Sequence, residues 1–181
     1  ARAFENIPEN KPRDFFEACQ LFWLAFIFDG IDSPGRFDYF MDDFVGLCTD
    51  DELRECMRAL WELFYETRTW NLCIGGSDEN GKYFSNALTY DILELAREYR
   101  YNTPNLTMRM SAETPDALWQ SAAKTIASGI GMPALYNDEV VCPALETLGI
   151  TPEDAHNYCM NGCNQIDIFG KSHMGLEDGE V

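Results

Sequence analysis

The chain has 181 residues, 46 % of them hydrophobic and 13 % aromatic, which is enough for one domain with a sizeable core and excludes a disordered chain. Acidic residues outnumber basic ones 31 to 13, and the formal net charge of −18 repels phosphate backbones and anionic lipid, so nucleic acid and membrane surfaces are poor partners. Seven scattered cysteines, no signal peptide and no apolar run long enough to span a bilayer point to a soluble protein of a reducing cytosol.

In chain order, residues 14–28 (Asp14 to Phe28) form an apolar helix preceded by Pro12, with apolar coverage wide enough to predict deep burial. The DSPGR stretch, 32–36, reads as a loop. An amphipathic helix over 50–65 carries acidic residues in its first turn and repeats Leu53, Met57, Leu60, Trp61 and Phe64 at helical spacing. Residues 71–74 are a short strand ending at Gly75-Gly76, and Ser85 is placed to cap a helix running to about Tyr99. A strand over 106–110 follows, then a helix opened by Thr114-Pro115 and ended by Gly129 and Gly131. Residues 134–136 are a further strand, and Asn137-Asp138 turn into a helix closed by Gly149. Thr151 starts a last short helix, and 158–160 are a strand leading into Asn161-Gly162-Cys163. Strands alternating with helices predict parallel βα units in an α/β protein, with no internal repeat and no domain boundary.

Five stretches carry a resemblance: FFEACQLFW, SPGRFDYF, IGGSDENGKYFSNALTYDILELA, NTPNLTMRMSAETPDALWQSAAKTIASGIGMPALYND and LETLGITPEDAHNYCMNGCNQ. Together, in this order, the chain resembles the pyruvate formate-lyase-like and glycerol dehydratase-like glycyl radical enzymes. The resemblance implies part of a ten-stranded α/β barrel, with residues 1–181 as one partial barrel domain and the C-terminal glycyl radical domain absent. The absent initiator methionine and the ending in GLEDGEV are read the same way, as an internal piece of a longer chain.

The resemblance also implies chemistry. A glycine elsewhere in the protein stores a radical, installed by a separate radical-SAM activase, and no cofactor or metal is bound by the enzyme itself. Cys163 matches the cysteine that yields its hydrogen to that radical and then attacks substrate, inside a dry enclosure. The resemblance further implies a homodimer, a small-molecule substrate, an anaerobic metabolism and a lyase or dehydratase-type elimination or C–C/C–X cleavage. Two alternatives stand beside this one: a relic or split-gene subunit acting through a partner chain, and acyl transfer of the formate acetyltransferase kind.

The sequence departs from the family pattern at the cysteine. Most lyases and dehydratases of the family read Gly-Cys-Val-Glu, whereas this chain has Gly162-Cys163-Asn164-Gln165, and an amide neither takes nor gives a proton at neutral pH. Asn164 and Gln165 therefore become candidates for substrate binding, and Glu177 matches by position a carboxylate used in the dehydratase branch. Asn137 and Asp138, at a strand end where α/β proteins gather functional groups, are further substrate-binding candidates. Cys159 reads as a packed thiol, which with four-residue spacing to Cys163 argues against acyl transfer by paired cysteines. Arg36 and Asp38 are expected to form a buried pair, and Gly75, Gly76, Gly129 and Gly131 to be turn glycines. His156, Cys159, Cys163 and His173 invite a metal reading, but the two histidines read as surface or hydrogen-bonded residues, and Ile166 stands where an iron–sulfur motif would need a third cysteine.

Overall fold

The computed structural model describes residues 3–30, 33–162, 165–168 and 170–171. After a short turn over Ala3–Glu5, helix α1 spans Phe15–Asp29, capped by the Asp14 side chain, which accepts from the Glu17 amide. Strand β1 is two residues, Gly35–Arg36, followed by the single-turn helices α2 (Phe37–Phe40) and α3 (Asp42–Val45). Helix α4 (Asp50–Glu66) starts with a reciprocal capping box between Thr49 and Glu52 and buries all five of the apolar residues that its period selects.

Strand β2 (Asn71–Gly75) leads to helix α5 (Ala87–Tyr99), strand β3 (Asn105–Met110) and helix α6 (Asp116–Thr125), which loosens into a π turn at Ile126–Ile130. Strand β4 (Ala134–Asn137) passes directly into helix α7 (Asp138–Thr147), and helix α8 (Pro152–Ala155) is capped by Thr151. The described chain ends in a hairpin of β5 (Tyr158–Asn161) and β6 (Gln165–Ile168).

Strands β1 to β4 form one parallel sheet in chain order. Because the order never reverses, the helices connecting successive strands collect on one face. That face is apolar: Leu72, Ile74, Leu106 and Met108 pack with Phe15, Leu53, Met57, Leu60, Trp61, Phe64, Ile92 and Leu93 in the main core. The opposite face is polar and equally buried, with Arg36 of β1, Asn71 and Cys73 of β2 and Thr107 and Arg109 of β3 all at 0 % exposure. Alternation along each strand puts these residues together, since side chains two apart share a face. The hairpin covers this polar face, and its own apolar side joins Cys142, Leu145 and Ala155 of α7 and α8 in a second core with Tyr158, Met160 and Ile168.

Four details differ from the sequence expectations. Gly35–Arg36 is a strand inside the expected loop, too short for any period to reveal and held by pairing with Leu72 and Cys73. Strand β6 was not expected at all, although Gln165, Ile166, Asp167 and Ile168 alternate polar and apolar. Asn86, not Ser85, caps α5, in a second capping box with Thr89. Helix α1 is buried along one side only, with Phe16, Ile27 and Phe28 at 52 %, 53 % and 89 % exposure. Among the described residues no helix is long and apolar enough to cross a membrane.

Candidate active site

The hairpin is fixed to the polar sheet face at both ends. At its base stand two buried arginines. Arg109 donates from Nε to Asp138 Oδ1 (3.0 Å) and from Nη2 to Asp138 Oδ2 (2.8 Å), an ion pair with both partners nearly or fully buried. Its remaining donors take the Tyr158 carbonyl (2.8 Å) and the His156 carbonyl (3.0 Å), and its guanidinium lies 3.9 Å from the Tyr158 ring centre. Arg36 donates to the carbonyls of Ser77 (2.8 Å) and His156 (3.3 Å) and to Asn157 Oδ1 (3.0 Å), and stacks over Tyr39 at 4.0 Å. The fork geometry of guanidinium suits this work, gripping several acceptors at once from one rigid group.

Asp138 is saturated. Besides Arg109 it accepts from the Ser77 amide (2.7 Å), the Ser77 hydroxyl (2.8 Å) and the Tyr158 hydroxyl (2.8 Å). Burial pushes its carboxyl up, but the Arg109 charge and hydrogen bonds, with those from Ser77, outweigh burial and hold it below the usual carboxylate range. Ser77 Oγ also accepts from Arg109 (3.1 Å) and lies 2.6 Å from His156 Nδ1. The single Ser77 proton goes to the Asp138 oxygen, so His156 must carry a proton on Nδ1 and donate it to Ser77.

The glycines at the end of β2 make room for this grip. A β-carbon on Gly76, whose φ is +96°, would stand 2.5 Å from Arg109 Nε, and one on Gly75 would stand 3.0 Å from the Arg109 carbonyl oxygen. Their role is therefore packing as well as turning. Arg36 and Asp38 are both fully buried as expected, but they spend their hydrogen bonds apart: Asp38 Oδ2 accepts from the Gly75 amide (2.8 Å) and the Thr89 hydroxyl (2.6 Å).

Along its length, β5 lies against β2 in opposite direction. The Tyr158 carbonyl meets Arg109, which pairs in register with Gly75; the Met160 amide faces the Cys73 thiol; and the Gly162 carbonyl accepts from Asn71 Nδ2 at 3.0 Å. One edge of β5 is satisfied by β6, and its other edge is thus satisfied by side chains of the sheet. Asn71 is oriented in turn by Thr107, whose hydroxyl donates to Asn71 Oδ1 at 3.1 Å. Gly162 has φ +53°, with Trp70 no closer than 3.7 Å to a built β-carbon, so the backbone conformation, not crowding, favours glycine there.

The sequence candidates distribute unevenly over this frame. Cys163, Asn164 and Glu177 lie outside the described residues, as does His173. Gln165 opens β6, paired with Asn161, and donates to Asp167 Oδ1 at 3.4 Å; Asn161 donates to Asp167 Oδ2 at 3.0 Å. Asn137 caps α7 by accepting from the Glu139 amide. Asp138 touches the base of the hairpin at Tyr158, whereas Gln165 stands at its tip, roughly one four-residue strand or about 13 Å along. Cys159 is buried, and burial pushes its thiol up to about 12. Among the described residues, no group of three or more histidine, cysteine, aspartate or glutamate side chains could hold a metal ion. Sequence reasoning missed Asn71, Thr107, Ser77, Arg109 and Tyr158. The available signal was the polar alternation Asn71-x-Cys73 and Asn105-x-Thr107-x-Arg109 inside strands whose other face is apolar.

A model of pyruvate formate lyase-like proteins matches residues 1–177. The chain belongs to the pyruvate formate lyase-like family. Its similarity to isethionate sulfite-lyase of Desulfovibrio desulfuricans is 30 % identity over 191 residues, covering 89 % of this chain and 23 % of that protein. To trans-4-hydroxy-L-proline dehydratase of Clostridioides difficile it is 27 % over 202 residues, covering 94 % and 26 %. A solved glycyl radical enzyme from Archaeoglobus fulgidus superposes with a TM-score of 0.84 at 27 % identity, covering 94 % of this chain and 26 % of that one. The chain thus spans about a quarter of the length of these pyruvate formate lyase-like relatives, and its four-stranded sheet is a portion of the family's α/β barrel.

Proposed function

We propose that this chain is the cysteine-bearing portion of a glycyl radical lyase or dehydratase, with Cys163 as the hydrogen-abstracting residue. The observation that carries the reading is the anchored hairpin: its strands flank residues 163 and 164, and the buried polar face of a parallel sheet grips it from base to tip. Family membership and the lyase and dehydratase relatives support the reaction class.

In this reading the Cys163 thiol gives its hydrogen atom to a glycyl radical supplied by polypeptide outside these residues. The resulting thiyl takes a hydrogen atom from a substrate carbon next to the bond to be broken, the leaving group departs, and the thiol returns the hydrogen to the product radical. Glu177 handles the proton of the leaving group, and Asn164 and Gln165 hold a polar substrate group by hydrogen bonds. The substrate is a small hydroxylated, sulfonated or amino-bearing metabolite, a radical-SAM activase installs the radical, and the assembled enzyme is a homodimer.

The test uses the full-length, activated protein and a panel of isethionate, trans-4-hydroxy-L-proline, diols and amino alcohols. Cys163→Ser should abolish turnover and keep the glycyl radical signal in electron paramagnetic resonance, because a hydroxyl O–H bond is too strong to yield its hydrogen. Cys159→Ser should retain most activity. The opposite pattern would overturn the assignment.

A further inference from the structure

The hairpin base is held by charge, but the residue before Cys163 is held by neutral side chains alone, and its carbonyl by one of them. Asn71 is fully buried, at the start of β2, and donates from Nδ2 to the Gly162 carbonyl at 3.0 Å. That carbonyl belongs to the peptide group joining Gly162 to Cys163. The same Gly162 donates its amide to Asn161 Oδ1 at 2.7 Å, so both peptide groups of this left-handed residue have a fixed partner. Asn71 and Thr107 are both sealed at 0 % exposure, and the Thr107 hydroxyl lies 3.1 Å from Asn71 Oδ1, nearer than its other acceptor, the Leu72 carbonyl at 3.4 Å.

We infer that Asn71, oriented by Thr107, is a positioning residue that acts on hydrogen transfer at Cys163 by fixing the Gly162 carbonyl that precedes it in the chain; the inference rests on the thiyl reading of Cys163. Hydrogen-atom transfer between two residues depends steeply on the separation of the atoms, and a misplacement of about 1 Å costs on the order of a hundredfold in rate. A carbonyl one peptide away from the reacting residue is where a single hydrogen bond has this leverage. The amide suits both neighbours: the Gly162 carbonyl needs a donor, and the Asn71 oxygen is the nearer of the acceptors open to the Thr107 hydroxyl. Aspartate keeps the shape and the Thr107 contact but turns a second acceptor on the Gly162 oxygen.

The transfer can be observed without substrate. In heavy water the Cys163 thiol carries deuterium. It gives that atom to the glycyl radical, leaving a thiyl on sulfur and both isotopes on the glycine carbon. When the thiyl takes back the light hydrogen, the glycyl radical returns with deuterium on its carbon, and its resonance doublet collapses. The rate of collapse reports the transfer alone.

The experiment compares parent, Asn71→Asp, Asn71→Ala, Thr107→Val and Thr107→Ser in the full-length, activated protein. Asn71→Asp and Asn71→Ala should slow the collapse at least tenfold at an unchanged radical yield; Thr107→Val should slow it less, and Thr107→Ser, which keeps the hydroxyl, should match the parent. Collapse at the parental rate in Asn71→Asp overturns the inference. So does loss of the radical itself in both Asn71 variants, which makes Asn71 a residue of the fold. Cys163→Ser separates the two levels: collapse that persists there removes the thiyl reading, whereas collapse lost there but normal in Asn71→Asp removes only the role of Asn71.

Discussion

Gln165 stands where the Gly-Cys-Val-Glu pattern of the resemblance would place a glutamate, and its surroundings explain why a glutamate would fit poorly. Asp167 is its neighbour on the same side of β6, and the amide donates to one Asp167 oxygen while Asn161 donates to the other. Replacing the amide by a carboxylate removes a donor and sets two negative groups side by side on a half-buried face, which raises the pKa of one of them. Gln165→Glu should therefore lower turnover by on the order of tenfold at neutral pH, about 1.4 kcal/mol. Activity should recover as the pH falls, because a protonated glutamate donates again. A pH–rate profile decides the matter, and a variant that outperforms its parent at neutral pH on any panel substrate would restore a carboxylate-dependent mechanism.

At the scale of the element, the hairpin is secured by ion pairing at its base, and two buried carboxylates near the end of β2, Asp138 and Asp38, respond to pH in opposite senses. Asp138 sits below the usual range, so its stabilisation is present at neutral pH and lost as the pH falls through its folded pKa. Asp138→Asn leaves Arg109 without a buried counter-charge and should cost about 3–5 kcal/mol at pH 7, a gap that narrows below about pH 4. For Asp38, burial dominates over the hydrogen bonds from Thr89 and Gly75 and raises the carboxyl above its usual range, while Oδ1 has no hydrogen-bond partner. Its charge thus opposes folding at neutral pH and is relieved as the pH drops. The cost of Asp38→Asn, relative to the parent, should grow as the pH is lowered from neutral toward the usual carboxylate range. Urea midpoints of the full-length protein at several pH values read both trends, and parallel behaviour of the two variants would refute this division.

The whole molecule carries apolar surface that its own described residues leave uncovered. Phe28 is 89 % exposed at the end of α1, Leu148 is 79 % exposed after α7, and Val140 on α7 is 65 % exposed. Val140 and Leu148 lie on and just after α7, which flanks the edge strand β4, and apolar surface of this kind is suited to cover by further structure, in keeping with a chain that spans a quarter of its relatives. The 181-residue chain by itself should bind a hydrophobic dye or self-associate. A monomer with no dye binding and a single sharp unfolding transition would show that this surface is tolerated in water.

What the sequence determined by itself was local: helix α4 from its period and acidic start, and the parallel βα alternation from the spacing of short apolar runs. These follow from interactions between residues a few positions apart. The bonds that hold the hairpin join residues far apart in the chain, Asn71 to Gly162 and Arg109 to Tyr158, and no period records them. Asp138 shows the difference most clearly: its place at a strand end was legible, but its engagement by Arg109, Ser77 and Tyr158 was not. Only tertiary structure brings β2, β3, α7 and β5 together, because burying two arginines requires that every acceptor around them be supplied from a different part of the fold.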